Sequence, residues 1–240
     1  MPPLRRVLIK LSGEALAGGV GFGLDPAILR RLAGDIQALQ RGGLQLAVVI
    51  GGGNIFRGAG LAQAGLDRVT GDQMGMLATL MNSLALRDAL MSCGVLAEVH
   101  SALPIEPVCE TYRQTRALAA LERGTVVLLA GGTGNPFFTT DTAASLRAIE
   151  LKADLLVKAT QVNGIYSADP VRHPDARFYP RLSFNQALRE NLQVMDQTAL
   201  LMCREQRLPL CVLNIHEPEA LERCLLRGDA LGSWVDNGDE

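Results

Sequence analysis

The chain has 240 residues, a formal net charge of −2, 48% hydrophobic residues and only 4% aromatic ones. That is enough for a sizeable aliphatic core in one large α/β domain, expected here over 1–240. The charge balance excludes a nucleic-acid or membrane-surface binder built on global charge, and no apolar run approaches the ~18–20 residues of a membrane span.

The elements follow in chain order. Met1 to Arg6 run straight into a strand pattern at Arg6–Ile9, leaving no room for a signal peptide. Asp25 and Pro26 open a helix as N-cap and first helical residue. Its apolar face is Ile28, Leu29, Leu32, Ala33, Ile36 and Leu39, and Gly42-Gly43 stops it. Leu46–Ile50 reads as a strand, followed by Gly51-Gly52-Gly53-Asn54. A long helix is expected over Gln73–Met91, then a short strand at Ala97–Val99 and a helix near Thr115–Leu121. The strand Thr125–Leu129 leads to Gly131-Gly132, the helix Thr142–Leu151 to the strand Leu155–Lys158. Val162–Pro180, with three prolines, reads as an excursion holding a small hairpin. Helices at Ser183–Asn191, Met195–Gln206 and Pro218–Leu226 alternate with strands at Leu210–Leu213 and Gly232–Val235. Strands separated by helices imply a mostly parallel central sheet covered by helices on both faces.

Of 23 basic residues only Lys10, Lys152 and Lys158 are lysine. A chain that uses arginine for ordinary surface cations keeps lysine where a compact point charge is needed. Lys10 and Lys158 each end an apolar strand, a placement that suits a phosphate; Lys152 reads as a solvated helix charge. Ser12-Gly13, Gly51–Asn54, Gly131–Asn135 and the Thr160–Gly164 turn fall at strand carboxyl ends, where open α/β sheets bind ligands. Such glycine-rich turns let backbone N–H groups approach an anion. Together they point to a polyphosphate substrate. A Walker A loop is excluded because no Gly-Lys pair occurs. The dinucleotide pattern is incomplete after Gly53, and the His-Arg-Asp and Asp-Phe-Gly signatures of protein kinases are absent. Five cysteines without CxxC spacing point away from zinc or a disulfide framework, and a reducing cytoplasm is expected.

Five segments then carry a resemblance: Lys10-Leu11-Ser12-Gly13-Glu14-Ala15, Gly51–Gly58, Gly71–Met76, Thr133–Ala144 and Lys158-Ala159-Thr160. Together the chain resembles the bacterial uridylate kinases, within the amino-acid kinase superfamily, from about Arg5 to Val235. The resemblance implies the amino-acid kinase fold and phosphoryl transfer from ATP to UMP, giving UDP, in pyrimidine nucleotide biosynthesis. It implies Mg²⁺ arriving with ATP and no protein metal site. It also implies a cytoplasmic homohexamer activated by GTP and inhibited by UTP, with Gly18, Gly19, Val20, Gly21, Phe22 and Gly23 as the GTP-response region.

For the site, Lys10 and Lys158 would neutralise the transferring phosphoryl group, and Asp141 would align them or merely cap its helix. ATP contacts are expected at Lys10, Leu11, Ser12, Gly13, Gly53, Arg57, Thr160, Tyr166 and Asp169. Tyr166 offers a flat face or anchors its loop. UMP contacts are expected at Gly52, Arg57, Asp72, and Thr133, Gly134, Asn135, Pro136, Phe137, Phe138, Thr139 and Thr140. Arg57 suits the UMP phosphate as a bidentate partner, or is an ordinary surface arginine. Asp72, expected just before the long helix, accepts from ribose hydroxyls or caps the helix. The Met74, Met76, Leu77, Leu80, Met81 and Leu84 stripe reads as core, or as a subunit interface. The family's Val-Asp-Gly-Val-Tyr stands here as Val162-Asn163-Gly164-Ile165-Tyr166. An acetylglutamate- or carbamate-type kinase, and a non-catalytic anion or nucleotide binder of the same fold, are the alternatives.

Overall fold

Alternation along two neighbouring strands decides which way the site faces. In the computed structural model, which describes residues 3–56 and 65–238, β1 (Arg6–Leu11) runs parallel between β2 (Gln45–Ile50) and β6 (Leu155–Thr160). Lys10 is paired with Lys158 in register. Side chains alternate across a sheet, so Leu8 and Lys10 share one face, as do Leu156 and Lys158. Leu8 and Leu156 belong to the same apolar layer, which also contains Ala144 and Ala148 of α4 (Thr140–Glu150). Both lysines therefore emerge beneath the amino end of α4. The opposite face carries Val7, Ile9, Leu46, Val48 and Val157, packed against α1 (Pro26–Arg41) and α2 (Arg68–Ser92).

The remaining strands are β3 (Ala97–Ser101), β4 (Glu110–Thr111), β5 (Val126–Ala130), β7 (Ile165–Tyr166), β8 (Phe178–Tyr179), β9 (Arg181–Ser183), β10 (Leu210–Asn214) and β11 (Ser233–Asp236). Of the eleven strands among the described residues, nine form one sheet in the order β4-β3-β5-β2-β1-β6-β10-β11-β9, parallel throughout except between β10 and β11. Helices α3 (Gln114–Glu122), α5 (Phe184–Arg189) and α6 (Gln197–Glu205) share the α4 face. A short helix, α7 (Ala220–Glu222), continues as a wider turn over Arg223–Arg227 on the α1 face. This is the mostly parallel, three-layer α/β arrangement expected. Among the described residues, no helix is long and apolar enough to cross a membrane.

Local signals placed most elements. Asp25 caps α1 by accepting from Ala27 N–H at 2.8 Å, with Pro26 at the first position. The excursion after β6 contains the expected hairpin, β7 paired antiparallel with β8. Strands β4 and β9, two and three residues long, had no periodic signal to announce them.

Three expectations need correction. Helix α2 starts at Arg68 rather than Gln73, capped by Asp67, whose carboxylate accepts from Thr70 N–H at 3.0 Å. Gly71 and Gly75 look like breakers in sequence, but tertiary packing carries the helix through them. Lys152 is not on a helix; it sits exposed in the turn after α4 with φ 54°. The Met-rich stripe is not all core. Met76 and Leu80 are buried, whereas Met74, Leu77 and Met81 are 41%, 47% and 53% exposed.

Candidate active site

The carboxyl ends of β1, β2, β5 and β6 converge on a group of three charges. Asp141 lies in the first turn of α4, and its two carboxylate oxygens are split between the lysines. Lys10 Nζ is 2.7 Å from Oδ1 and Lys158 Nζ is 2.8 Å from Oδ2. Lys158 also donates to the Val194 carbonyl at 2.6 Å. Asp141 is not the helix cap. That place belongs to Thr139, whose hydroxyl accepts from Asp141 N–H at 3.1 Å and Thr142 N–H at 3.2 Å. The carboxylate is thus free to hold two ammonium groups apart while neutralising them.

Burial acts against both charged forms, and the outcome differs. Burial pushes the Asp141 carboxyl up, but Lys10 and then Lys158 outweigh it and hold the group below the usual carboxylate range. For Lys158 burial prevails: it lowers the ammonium pKa, Asp141 opposes this, and Lys10 reinforces it. The signs give a testable pH dependence. A depressed Asp141 stabilises the fold above the unfolded carboxyl pKa of about 4, and this is lost as pH falls through the lower folded value. A depressed Lys158 gives the same slope, stability rising with pH, for a different reason: its charged form costs stability at lower pH, and that cost is relieved as pH rises through its folded pKa. If protonated Lys158 is needed for turnover, the alkaline limb of kcat should fall below the ordinary lysine range near 10.4. A pH–rate profile flat to that range would contradict the assignment.

Two glycine turns approach each other beside the lysines. Gly51 N–H donates to the Leu11 carbonyl at 2.9 Å. A Cβ on Gly13 would lie 2.5 Å from the Gly51 carbonyl oxygen and 2.8 Å from Gly53 N, so only glycine permits this approach. Ser12 and Gly13 begin a tight turn over Gly13–Leu16, while the Leu11 side chain is core and has only its backbone to offer a ligand.

An adjoining cavity of about 290 Å³ is lined by six expected acceptor-site residues, Gly52, Asp72, Thr133, Phe138, Thr139 and Thr140, and by Gly53, expected for ATP. Its floor includes Gly71 and Gly75 of α2. Spaced four apart, they present one bare strip of helix to the cavity. Asp72 lies inside α2 and caps nothing. Both its oxygens accept from Arg68 Nε at 2.9 Å, and Oδ2 accepts from Phe137 N–H at 2.7 Å. That last bond holds the turn Gly134, Asn135, Pro136 and Phe137 at the cavity rim, where Phe137 has φ 72°. Within the turn, Asn135 N–H donates to Thr133 Oγ1 at 3.2 Å.

Other expected contacts lie apart from this group. Thr160 Oγ1 donates to the Val162 carbonyl at 2.8 Å, and Tyr166 packs on Phe178 with ring centroids 5.2 Å apart. Asp169 accepts from Val171 N–H at 2.9 Å within the exposed loop of the β7–β8 hairpin. Tyr166 thereby packs the two strands of its hairpin together. Asn163 retains an acceptor role, its Oδ1 receiving Asn214 Nδ2 at 2.7 Å. The Gly18–Gly23 segment holds a short turn over Gly18–Val20, and Gly23 N–H donates to the Asn54 carbonyl at 2.8 Å. Arg57 lies outside the described residues. His100 is buried against Glu98, while His173 and His216 are exposed.

Sequence reasoning missed the brace behind the charges. Asp196, the N-cap of α6, accepts from Ala199 N–H at 2.9 Å and also from the hydroxyls of Thr139 and Thr142. Its capping role was readable locally; its reach to residues more than fifty positions away was not. With the Val194 carbonyl on Lys158, this short segment steadies both Asp141's helix and one lysine.

The sequence model of the amino acid kinase family matches residues 5–214. The chain is 56% identical over 237 residues to the uridylate kinase of Methylococcus capsulatus, covering 99% of each. It is 52% identical over 234 residues to that of Vibrio cholerae, covering 98% of this chain and 96% of the other. Among solved structures, UMP kinase from Bacillus anthracis superposes with a TM-score of 0.95 at 40% identity, covering 99% of this chain and 98% of that one. UMP kinase from Ureaplasma parvum superposes with a TM-score of 0.92 at 35% identity, covering 99% and 100%. With the match spanning nearly the whole chain in sequence and in fold, this protein belongs to the amino acid kinase family, in its uridylate kinase branch.

Proposed function

We propose that the chain transfers the γ-phosphoryl group of ATP to the phosphate of UMP, releasing ADP and UDP. The observation that carries this reading is the Lys10–Asp141–Lys158 group at the ends of two neighbouring strands, beside a glycine-floored cavity. A phosphate oxygen of UMP forms the new bond to the γ-phosphorus as the bond to the ADP oxygen breaks. Phosphoryl transfer asks for positioning and charge neutralisation more than covalent help. The acceptor is already ionised at neutral pH, so no general base is needed, in keeping with histidines that lie in no part of the site. Lys10 and Lys158 neutralise the transferring group from two sides, and Asp141 fixes their spacing. Gly13, Gly52 and Gly53 approach the phosphates through their backbone, and Arg57 binds the UMP phosphate. Thr160, Tyr166 and Asp169 border the adenosine.

The donor set suits Mg²⁺ carried on the ATP phosphates: Asp141, the carboxylate between the lysines, is already neutralised by both. The metal would add charge neutralisation at the phosphates. A coupled assay of ADP release with UMP, CMP, acetylglutamate and carbamate tests the reading. Turnover with UMP alone is the expected result, and preference for a non-nucleotide acceptor would overturn it.

The same reading makes the chain one cytoplasmic amino-acid kinase domain of pyrimidine nucleotide biosynthesis. It would assemble as a homohexamer, activated by GTP through Gly18–Gly23 and inhibited by UTP. The half-exposed Met74, Leu77 and Met81 on α2 support a subunit interface, since contiguous apolar surface marks association sites. Analytical ultracentrifugation at micromolar protein should return an oligomer mass; a monomer would count against the assembly.

A further inference from the structure

Two asparagines with no role in the account above lie beneath the glycine turns. Asn82, in the middle of α2, is completely buried, and Asn54 is 1% exposed. Their amides pair reciprocally: Asn82 Nδ2 donates to Asn54 Oδ1 at 2.7 Å, and Asn54 Nδ2 donates to Asn82 Oδ1 at 3.0 Å. Each amide has one N–H left. Asn82 gives its second to the Gly51 carbonyl at 2.7 Å, and Asn54 gives its second to the Gly23 carbonyl at 2.7 Å. All four N–H donors and both side-chain oxygens are thus satisfied. Two apolar side chains would fill this space without the desolvation that buried amides incur. What the amides add is direction.

We propose that the Asn82–Asn54 pair is a positioning device for the phosphate-binding turn, resting on the reading of Gly51–Gly53 given above. The reason is the geometry of a trans peptide, in which C=O and N–H point to opposite sides of one plane. Asn82 holds the Gly51 carbonyl inward. The N–H of the same peptide plane, that of Gly52, is thereby turned outward, and Gly52 lines the acceptor cavity. A donor fixed this way serves the phosphate of an incoming nucleotide and has no use for the nucleoside. Through Asn54 the same pair fastens the Gly18–Gly23 segment to the turn by two bonds, at the Gly23 carbonyl and the Gly23 N–H. A Cβ on Gly13 would also come within 2.6 Å of Asn54 Oδ1, so the pair underlies both glycine turns.

The test uses Asn82→Leu, neutral and close in size, with Asn54→Ser as the second variant. UMP affinity is measured by calorimetry, uridine as a competitive inhibitor, and kcat with ATP and UMP, alongside thermal unfolding. Losing the oriented donor should weaken UMP binding about tenfold and lower kcat by at least as much, the scale of one hydrogen bond to a charged group. Uridine affinity should stay within about twofold, since uridine offers no phosphate. Equal weakening of UMP and uridine, or wild-type values for both, would overturn the proposal. So would failure of both variants to fold, which would make the pair a purely structural tie. Absence of UMP turnover in the wild type would instead strike the proposed reaction, because UMP binding in the variants reads the pair without turnover.

Discussion

Replacing Lys158 or Lys10 by arginine should lower kcat by about 10²–10³-fold, the usual effect of removing one preorganised donor from a transition state. Charge is conserved in both variants, so a generic electrostatic role would leave turnover nearly intact. The geometry says otherwise. Each ammonium sits within 2.8 Å of a different oxygen of Asp141, and Lys158 gives another bond to the Val194 carbonyl at 2.6 Å. A guanidinium is planar and broad, and both sites are nearly closed, so its fork cannot replace a compact ammonium without displacing α4. Lys152→Arg is the internal control: that side chain is exposed in a turn and its exchange should be silent. Steady-state kinetics at saturating ATP and UMP decides the matter, and near-normal kcat in both site variants would end the two-lysine account. Asp141→Ala is a less clean probe. It leaves two buried ammonium groups uncompensated, a loss of about 3–5 kcal/mol in stability that would be confounded with catalysis.

The second large effect concerns the sugar. Wild-type kcat/KM should be about 5- to 150-fold lower for dUMP than for UMP, because a mostly buried carboxylate that loses a hydroxyl donor forfeits roughly 1–3 kcal/mol. Asp72 lines the acceptor cavity and is mostly buried, and it already accepts from Phe137 N–H. Its remaining capacity is what the ribose hydroxyls would use. Asp72→Asn should shrink the UMP/dUMP ratio. It should also raise KM for both, since an amide misoriented toward Phe137 N–H frees the rim turn. CMP should be poorer than UMP, because its amino group would present a donor to a backbone N–H suited to the uracil carbonyl. Equal use of UMP and dUMP by the wild type would leave Asp72 only its bonds to Arg68 and Phe137 and remove it from the ribose site.

Much of this was legible in the chain itself. The expected strands at Arg6–Ile9, Leu46–Ile50 and Leu155–Lys158 were found because a strand buried on both faces is a continuous apolar run. The isolation of Lys10 and Lys158 among arginines singled out two side chains that pair with one carboxylate. The glycine turns were visible because close backbone approach admits no other residue, as the contacts a Cβ on Gly13 would make illustrate.

Tertiary structure decided the rest, for three physical reasons. Partnership across long separations leaves no local trace: Asp196 bracing Thr139, and Asn82 holding the Gly51 carbonyl, depend on the sheet bringing distant segments together. Packing overrides local preference, so Gly71 and Gly75 remain helical in α2 and form a bare cavity floor, Gly71 at a position where the sequence suggested a helix not yet begun. Exposure belongs to a finished surface rather than to a pattern. One methionine–leucine stripe therefore divides into buried Met76 and Leu80 and half-exposed Met74, Leu77 and Met81, which the 3.6-residue period alone could not separate.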